Sequence, residues 1–160
     1  MRRSFLLVRA FALVVAAWWW IGCAAARAEQ AHVRRVIDGD TVELQDGRLV
    51  RYIGIDAPES RRKINDRWVE DPQPLSREAT QMNRRLVEGK AVRLEYDVQP
   101  LDRFGRLLAY VYDGEVMINA QLLRSGLAKL LTIPPNVKYV EQFRALVEEA
   151  RRQRRGLWAD

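Results

Sequence analysis

The sequence predicts a mainly β domain with helices, of the α+β class, in which five short strands and three helices share one core. Five segments alternate apolar and polar residues, and Asp-Gly pairs, which are typical of tight hairpin turns, follow three of them. Three other segments carry apolar residues at helical spacing. One helix after the third strand, with the other helices at the end, favours a closed five-stranded barrel of the OB type. An open α+β sheet with helices on one face is the alternative, and counting strands does not separate the two.

The first three strands are predicted to form a meander. They cover residues 32–37, 41–45 and 48–55, with turns at 38–40 and 46–47. Because a meander brings each strand back beside the one before it, the first turn should lie near the end of the third strand. We therefore expect Asp40 to approach Asp56, although the two are distant in the chain.

The rest of the chain is predicted to mix helices and strands. Residues 60–73 are polar and charged without a sustained period, which predicts a mobile surface loop. Pro74 suits the first turn of a helix that carries apolar residues to Val87 and that Gly89 ends. The other predicted elements are strands at 91–98 and 106–112, a helix at 119–125, a rigid loop at 132–138, and a helix from Val140 that Gly156 closes.

Residues 51–59 place acids just beyond the end of the third strand. Pro58 has no N–H and disfavours helix at the residue before it, so the strand stops there and Asp56 and Glu59 follow it. The carboxylates of Asp40, Asp56 and Glu59 are hard oxygen donors of the kind that Ca²⁺ and Mg²⁺ prefer. The alternative is that they are ordinary turn and surface residues.

Two arginines are candidates for holding a phosphate. Arg51 opens the acidic stretch and Arg106 follows a predicted turn, and a guanidinium is always charged and forks onto two phosphate oxygens. A surface ion pair is the alternative for either one. The candidates for contact with a nucleic-acid backbone are the cations that follow the acids, Arg61, Arg62 and Lys63, and Phe104 could stack on a base.

The residue types that the chain lacks narrow the chemistry. His32 is the only histidine, so a His-metal cluster or a Ser-His base is excluded unless this residue is reused. The sequence also has no glycine-rich phosphate loop. Carboxylate, arginine and metal-ion chemistry remain.

The N-terminal stretch predicts a secretory signal peptide over residues 1–28. Basic residues precede an apolar run, and small residues before Ala28 form a cleavage site, so we expect cleavage there and a periplasmic or secreted domain at 29–160. The alternatives are a membrane anchor, through an uncleaved N-terminus or a lipidated Cys23. Without this stretch the chain keeps 23 basic and 21 acidic residues and no cysteine, so its core must hold it together unaided by disulfides.

These motifs resemble the staphylococcal nuclease (thermonuclease) family. The matching segments are residues 36–42, 51–59 and 102–110, continued by 122–128 and the terminal helix with Trp158. Each segment is modest alone, but their order makes the resemblance specific over residues 31–158.

The resemblance implies an OB barrel with three helices, acting as a Ca²⁺-dependent, sugar-nonspecific nuclease on DNA and RNA. The 5′ oxygen would leave, giving 3′-phosphate products, and a monomer without stable membrane association is expected after cleavage. By motif position, the metal would be held by Asp40, Asp56 and the Ala57 carbonyl; Glu59 would be the general base; Arg51 and Arg106 would bind phosphate; and Arg103 and Phe104 would contact substrate.

Departures from the family pattern affect substrate contacts. Ala57 replaces a threonine but keeps its carbonyl, and Phe104 replaces a frequent tyrosine and so lacks a hydroxyl. Residues 132–136 lack tyrosines that can pack a base. One rival hypothesis is a non-catalytic OB module that binds single-stranded nucleic acid, and another is a structural domain that needs no metal. The presence of all five acids and arginines favours the enzyme.

Overall fold

The structure is a computed structural model, and it describes residues 28–65 and 67–159. The predicted signal peptide, apart from Ala28, lies outside the described residues, so its cleavage and the anchoring alternatives, including lipidation of Cys23, stay predictions. In the described ranges, no helix has the length and apolar character needed to cross a membrane.

Ten strands and three α-helices make up the domain, with a short 3-10 helix at Gly156–Trp158. In chain order the elements are β1 (Ala28–Val36), β2 (Thr41–Leu44), β3 (Leu49–Tyr52), β4 (Ile55–Asp56), β5 (Arg61–Ile64), β6 (Arg67–Glu70), α1 (Ser76–Val87), β7 (Ala91–Glu95), β8 (Leu107–Asp113), β9 (Val116–Met117), α2 (Ile118–Arg124), β10 (Lys129–Leu130) and α3 (Val140–Arg152).

Five strands form the barrel in the order β3-β2-β1-β7-β8, each antiparallel to its neighbour. The barrel closes because β3 also pairs with β8, in parallel, with Arg51 opposite Leu108. The predicted five-stranded barrel with three helices is therefore confirmed, and the open-sheet alternative is wrong. Inward-facing residues of successive strands, such as Val33, Leu44 and Leu94, are buried in its core.

Helix α1 is fixed to the turn between β1 and β2. Asn83 of the helix accepts a hydrogen bond from the Tyr52 hydroxyl (2.9 Å) and donates one to the Asp38 carbonyl (3.1 Å). Gly39 permits the close approach, since a Cβ there would lie 2.5 Å from the Ala57 Cβ and 2.9 Å from the Ala79 Cβ. The turn that carries Asp38 and Asp40 is thus held between α1 and the segment after β4.

Glu95 ties the loop before α3 to the barrel. Its buried carboxylate accepts hydrogen bonds from Lys138 Nζ and from the Tyr139 hydroxyl, each at 2.7 Å, and from Arg93 at 3.3 Å. Burial opposes ionisation of this carboxyl, but the hydrogen bonds from Lys138 and Tyr139 outweigh it, so the pKa of Glu95 is lowered.

The predicted third strand, 48–55, is wrong beyond Tyr52. The chain turns at Ile53-Gly54, and the next two residues form β4, which pairs with β10 instead of continuing the barrel strand. Gly54 has a φ of 80°, and a Cβ there would lie 2.6 Å from the Phe143 ring. The alternation of side chains could not reveal this break, because the partner strand is far along the chain.

Residues 60–73, predicted as an irregular loop, contain the antiparallel hairpin β5–β6, so that prediction is wrong. Among the residues that the structure describes, β5 and β6 pair only with each other, and their exposed residues include Arg61, Arg67 and Glu70. These residues do not alternate between apolar and polar side chains, so the pattern contained no strand signal. The Asp71 and Gln73 N–H groups bond the carbonyls of Ser60 (3.2 Å) and Glu59 (2.9 Å), closing its base.

The three helices appear where helical spacing predicts them, and α2 and α3 pack against each other. Helix α3 buries the face formed by Phe143, Leu146, Val147 and Ala150, as its pattern indicates. Gly126 and Gly156 meet backbone to backbone, since a Cβ at Gly126 would lie 2.1 Å from the Arg155 carbonyl oxygen. This contact fixes the chain after α2 against the chain after α3.

Candidate active site

Asp40, Arg51 and Asp56 meet at one point on the barrel. Arg51, whose side chain is 13% exposed, forms an ion pair with the buried Asp40 carboxylate and donates from a terminal nitrogen to Asp56 Oδ1 (2.9 Å). Asp40 Oδ2 also accepts the Ala57 N–H at 2.7 Å. The structure therefore brings the two acids that the meander predicts as neighbours to the same guanidinium.

Strand pairing explains this convergence. Thr41 of β2 lies opposite Arg51 of β3, and the Tyr52 N–H bonds the Asp40 carbonyl at 2.9 Å. The turn that carries Asp40 is thereby fixed beside β3. Asp56 follows the turn at Ile53-Gly54, which reverses the chain toward Arg51.

Arg106 reaches the same region from the start of β8, which pairs with β3. Asp102 holds it: Oδ2 accepts the Arg106 Nε–H at 2.7 Å, and Oδ1 accepts the N–H groups of Phe104 (2.8 Å) and Arg106 (3.0 Å). One carboxylate thus shapes the 102–106 turn and orients its guanidinium. Sequence reasoning missed this role of Asp102, although it is the first residue of the matching 102–110 segment.

A cleft of about 500 Å³ lies beside Arg51 and Arg106. Phe104, 69% exposed, stands at its edge, and the Arg103 guanidinium lies 4.7 Å from the ring centroid. The lining also includes Ile133 and Pro134, at the positions where the sequence lacks tyrosines. The cleft therefore joins two cations to an apolar wall, which suits a phosphate attached to a planar base.

Glu59 lines a separate groove together with Asp38, and the pKa of its carboxyl is raised. Burial is the largest cause and the Asp38 carboxylate adds to it, while Arg51 and Arg106 act in the opposite direction. The backbone of Glu59 is gripped by Gln73, whose side chain accepts its N–H (3.1 Å) and whose N–H bonds its carbonyl (2.9 Å). A carboxylate of raised pKa near two guanidiniums is equipped to take a proton.

Asp38 is a second residue whose role the sequence did not reveal. Its Oδ1 accepts the Asp40 N–H at 3.0 Å, which shapes the turn, and burial raises the pKa of its carboxyl while Arg51 lowers it. Asp-Gly-Asp is a common turn sequence, so nothing in it distinguishes a site residue from a turn residue. The hydrogen bonds between Gln73 and the Glu59 backbone could likewise not be predicted, because Gln73 lies in a polar stretch without a pattern.

The donors around Asp40 suit a hard divalent cation. In the ranges that the structure describes, no three or more His, Cys, Asp or Glu side chains are grouped to hold a metal ion. The predicted set, Asp40, Asp56 and the Ala57 carbonyl, has only two side-chain carboxylates, and both contact Arg51. The carboxylates of Asp40 and Asp56 thus converge on one positive charge, that of the Arg51 guanidinium.

Of the three basic residues predicted to contact a nucleic-acid backbone, the structure describes the side chain of Arg61 alone. Arg61 is exposed at the start of β5. The backbone of Arg62 and Lys63 continues that strand, and their side chains lie outside the described part of the structure. These three positions all belong to the hairpin that follows Glu59.

Several known proteins that are similar to this chain are named as nucleases. The sequence matches the family described as "Staphylococcal nuclease homologue" over residues 49–160. It is 37% identical over 142 residues to the thermonuclease of Staphylococcus hyicus, covering 87% of this chain and 81% of that protein. It is 38% identical over 135 residues to the thermonuclease of Staphylococcus intermedius, covering 82% and 77%. It is 35% identical over 130 residues to the endonuclease YncB of Bacillus subtilis, covering 78% and 59%.

Proposed function

Since this chain belongs to the staphylococcal nuclease family and is a nuclease, we propose that it is a Ca²⁺-dependent enzyme that hydrolyses both DNA and RNA. In this proposal the 5′ oxygen leaves and the products keep a 3′ phosphate. The observation that supports it most is the placement of Glu59 within electrostatic reach of both Arg51 and Arg106. The base thus interacts electrostatically with both of the cations that would bind phosphate.

The catalytic roles follow from charge. Glu59 takes a proton from water, which then attacks phosphorus in line with the leaving oxygen. Negative charge grows on the equatorial phosphate oxygens, where the Arg51 and Arg106 guanidiniums stabilise it. Asp102 acts through Arg106 by fixing the direction of its guanidinium.

The proposed ligands for the metal ion are oxygen atoms near Arg51. Asp40, Asp56 and the Ala57 carbonyl would hold Ca²⁺, which when bound supplies positive charge to a phosphate oxygen. Asp40 is suited to a fixed ligand position because its side chain is buried and its Oδ2 is anchored by the Ala57 N–H.

Substrate contacts are proposed on both sides of these groups. Phe104, which is exposed, stacks on a base, and Arg103 beside it binds backbone. Arg61, Arg62 and Lys63 contact the nucleic-acid backbone near Glu59. We also propose that the chain acts as a monomer in the periplasm or outside the cell after residues 1–28 are removed, which the N-terminal sequence pattern supports.

The test is hydrolysis of single-stranded DNA, duplex DNA and RNA with added Ca²⁺, added Mg²⁺ or a chelator. We expect activity with Ca²⁺, none with the chelator, and a fall in kcat of about 10²–10⁴ in Glu59→Gln, because a general base is worth that factor. The matched control is Glu141→Gln, the same change at an exposed site on α3, which should retain wild-type rates. Equal activity with the chelator, or from Glu59→Gln, would remove the mechanism.

A further inference from the structure

A second groove, of about 750 Å³, has Glu59 in its wall and is separate from the Phe104 cleft. It runs between the end of β1, the start of β5 and helix α1, and Asp38 and Glu59 belong to its wall. None of its described lining residues lines the first cleft. The catalytic carboxyl assigned above therefore lines the second groove, while the two guanidiniums that act on it, those of Arg51 and Arg106, line the first cleft.

Four guanidinium-bearing residues line this groove. Arg77 and Arg84 project from one face of α1, seven residues apart, together with Gln81, while Arg35 and Arg61 come from the strands opposite. Against these four cations the groove has two acids, Asp38 and Glu59, so its lining is net positive.

Most of this charge is not paired with acids in the part of the chain that the structure describes. Arg77 and Arg61 form no ion pair with any residue in the described ranges, and Arg84 meets only Glu88, at 3.7 Å. Arg35 is paired with Glu43, its Nε lying 2.7 Å from Oε2. Exposed cations without partners on a concave surface form a site for phosphate groups.

The two openings differ in chemistry. The first contains Phe104 and the apolar residues Ile133 and Pro134, which suit a base, whereas the described lining of the second contains no aromatic residue. The second groove therefore fits a sugar–phosphate backbone better than a stacked base. A strand cut at Glu59 must continue in both directions from the cleaved bond, and the first cleft accounts for only one direction.

We propose, on the basis of the nuclease function proposed above, that this groove binds the backbone of the second arm of a single-stranded polynucleotide. The nucleotide on one side of the cleaved phosphodiester occupies the Phe104 cleft. The phosphates on the other side contact Arg77 and Arg84. The groove thereby makes the enzyme prefer substrates that extend beyond the cleaved bond in both directions.

The test compares a single-stranded 12-mer with a dinucleotide, which has only the bond to be cut. In the Arg77→Ala/Arg84→Ala variant, the ratio of kcat/KM for the 12-mer to that for the dinucleotide should fall about tenfold, since long-strand phosphate contacts are lost. The control is Arg85→Ala, which removes one positive charge from the same helix, beside Arg84, but lies outside the groove lining. A wild-type ratio in the double variant, or an equal fall in the control, would overturn the proposal.

Binding of the 12-mer, followed by fluorescence anisotropy in the presence of a chelator, separates this proposal from the proposed function. The slope of log affinity against log salt should become shallower by about 1.4 in the double variant, since each single-strand phosphate contact contributes about 0.7. An unchanged slope would overturn the groove assignment. Failure of the wild-type protein to cleave either substrate would instead overturn the nuclease mechanism, and the slope would still decide the groove.

Discussion

Asn119 offers a sharp test of how buried hydrogen bonds hold the barrel and the site together. Its side chain, fully buried at the start of α2, accepts the Val111 N–H from β8 and donates to the Ile53 carbonyl, each at 2.9 Å. Val111 is also fully buried, and Ile53 is 5% exposed. Asn119→Ala removes the partner of both backbone groups in a place that water does not reach.

The expected cost follows from that burial. A buried backbone group left without a partner costs about 1–3 kcal/mol, so two of them should lower the free energy of unfolding by about 4 kcal/mol. Urea denaturation, followed by far-UV circular dichroism and tryptophan fluorescence, measures this loss.

Asn136 is the matched control. Its amide also makes two hydrogen bonds to backbone, with the N–H and carbonyl of Gln99, each at 2.8 Å. Gln99 is exposed, so water can replace the lost partner in Asn136→Ala, and we expect a loss of only about 1 kcal/mol. Equal losses from the two alanine variants would refute the argument that burial, rather than the number of hydrogen bonds, sets the cost.

Two other changes test features of the fold. Glu95→Gln should lower the free energy of unfolding at pH 7 by about 2 kcal/mol, because Lys138 loses a charged partner. Since the pKa of the Glu95 carboxyl is lowered in the folded protein, its stabilisation is complete above the ordinary pKa of a carboxyl and is lost as the pH falls through the lowered pKa. Denaturation at pH 7 and pH 3 should show the gap between wild type and variant narrowing, and a gap independent of pH would contradict this. Gly126→Ala should lower the free energy of unfolding by about 3 kcal/mol, because its Cβ would overlap the Arg155 carbonyl. The control Gly114→Ala, at a φ of 58° with open space around it, should lower it by about 1 kcal/mol. Similar melting temperatures for the two variants would contradict the overlap.

Local patterns predicted the elements whose signals are local. The Asp46-Gly47 turn and the helical spacing of α3 are both in the structure at the expected positions. Features that depend on distant partners were missed or misjudged. The chain leaves the barrel at Gly54 because β4 pairs with β10, and the β5–β6 hairpin pairs only with itself, so neither leaves a periodic trace in the sequence.

The site divides in the same way. Asp40 and Asp56 could be expected to approach because a meander is built from consecutive strands. The place of Arg106 depends on the parallel pairing of β3 with β8, which no local pattern reveals. Arg77 and Arg84 could be predicted as helix residues, but that they face Glu59 depends on how α1 packs against the barrel.

The parallel pairing of β3 with β8 bears on the stage of folding at which nuclease activity appears. Residues 50–52 must meet residues 107–109, and joining such distant segments carries a large entropic cost and slows folding. Until β3 pairs with β8, Arg51 and Arg106, the two arginines assigned to phosphate, are not held near each other. We therefore expect a nascent or unfolded polypeptide to have no nuclease activity, and we expect this activity to appear only when the barrel closes.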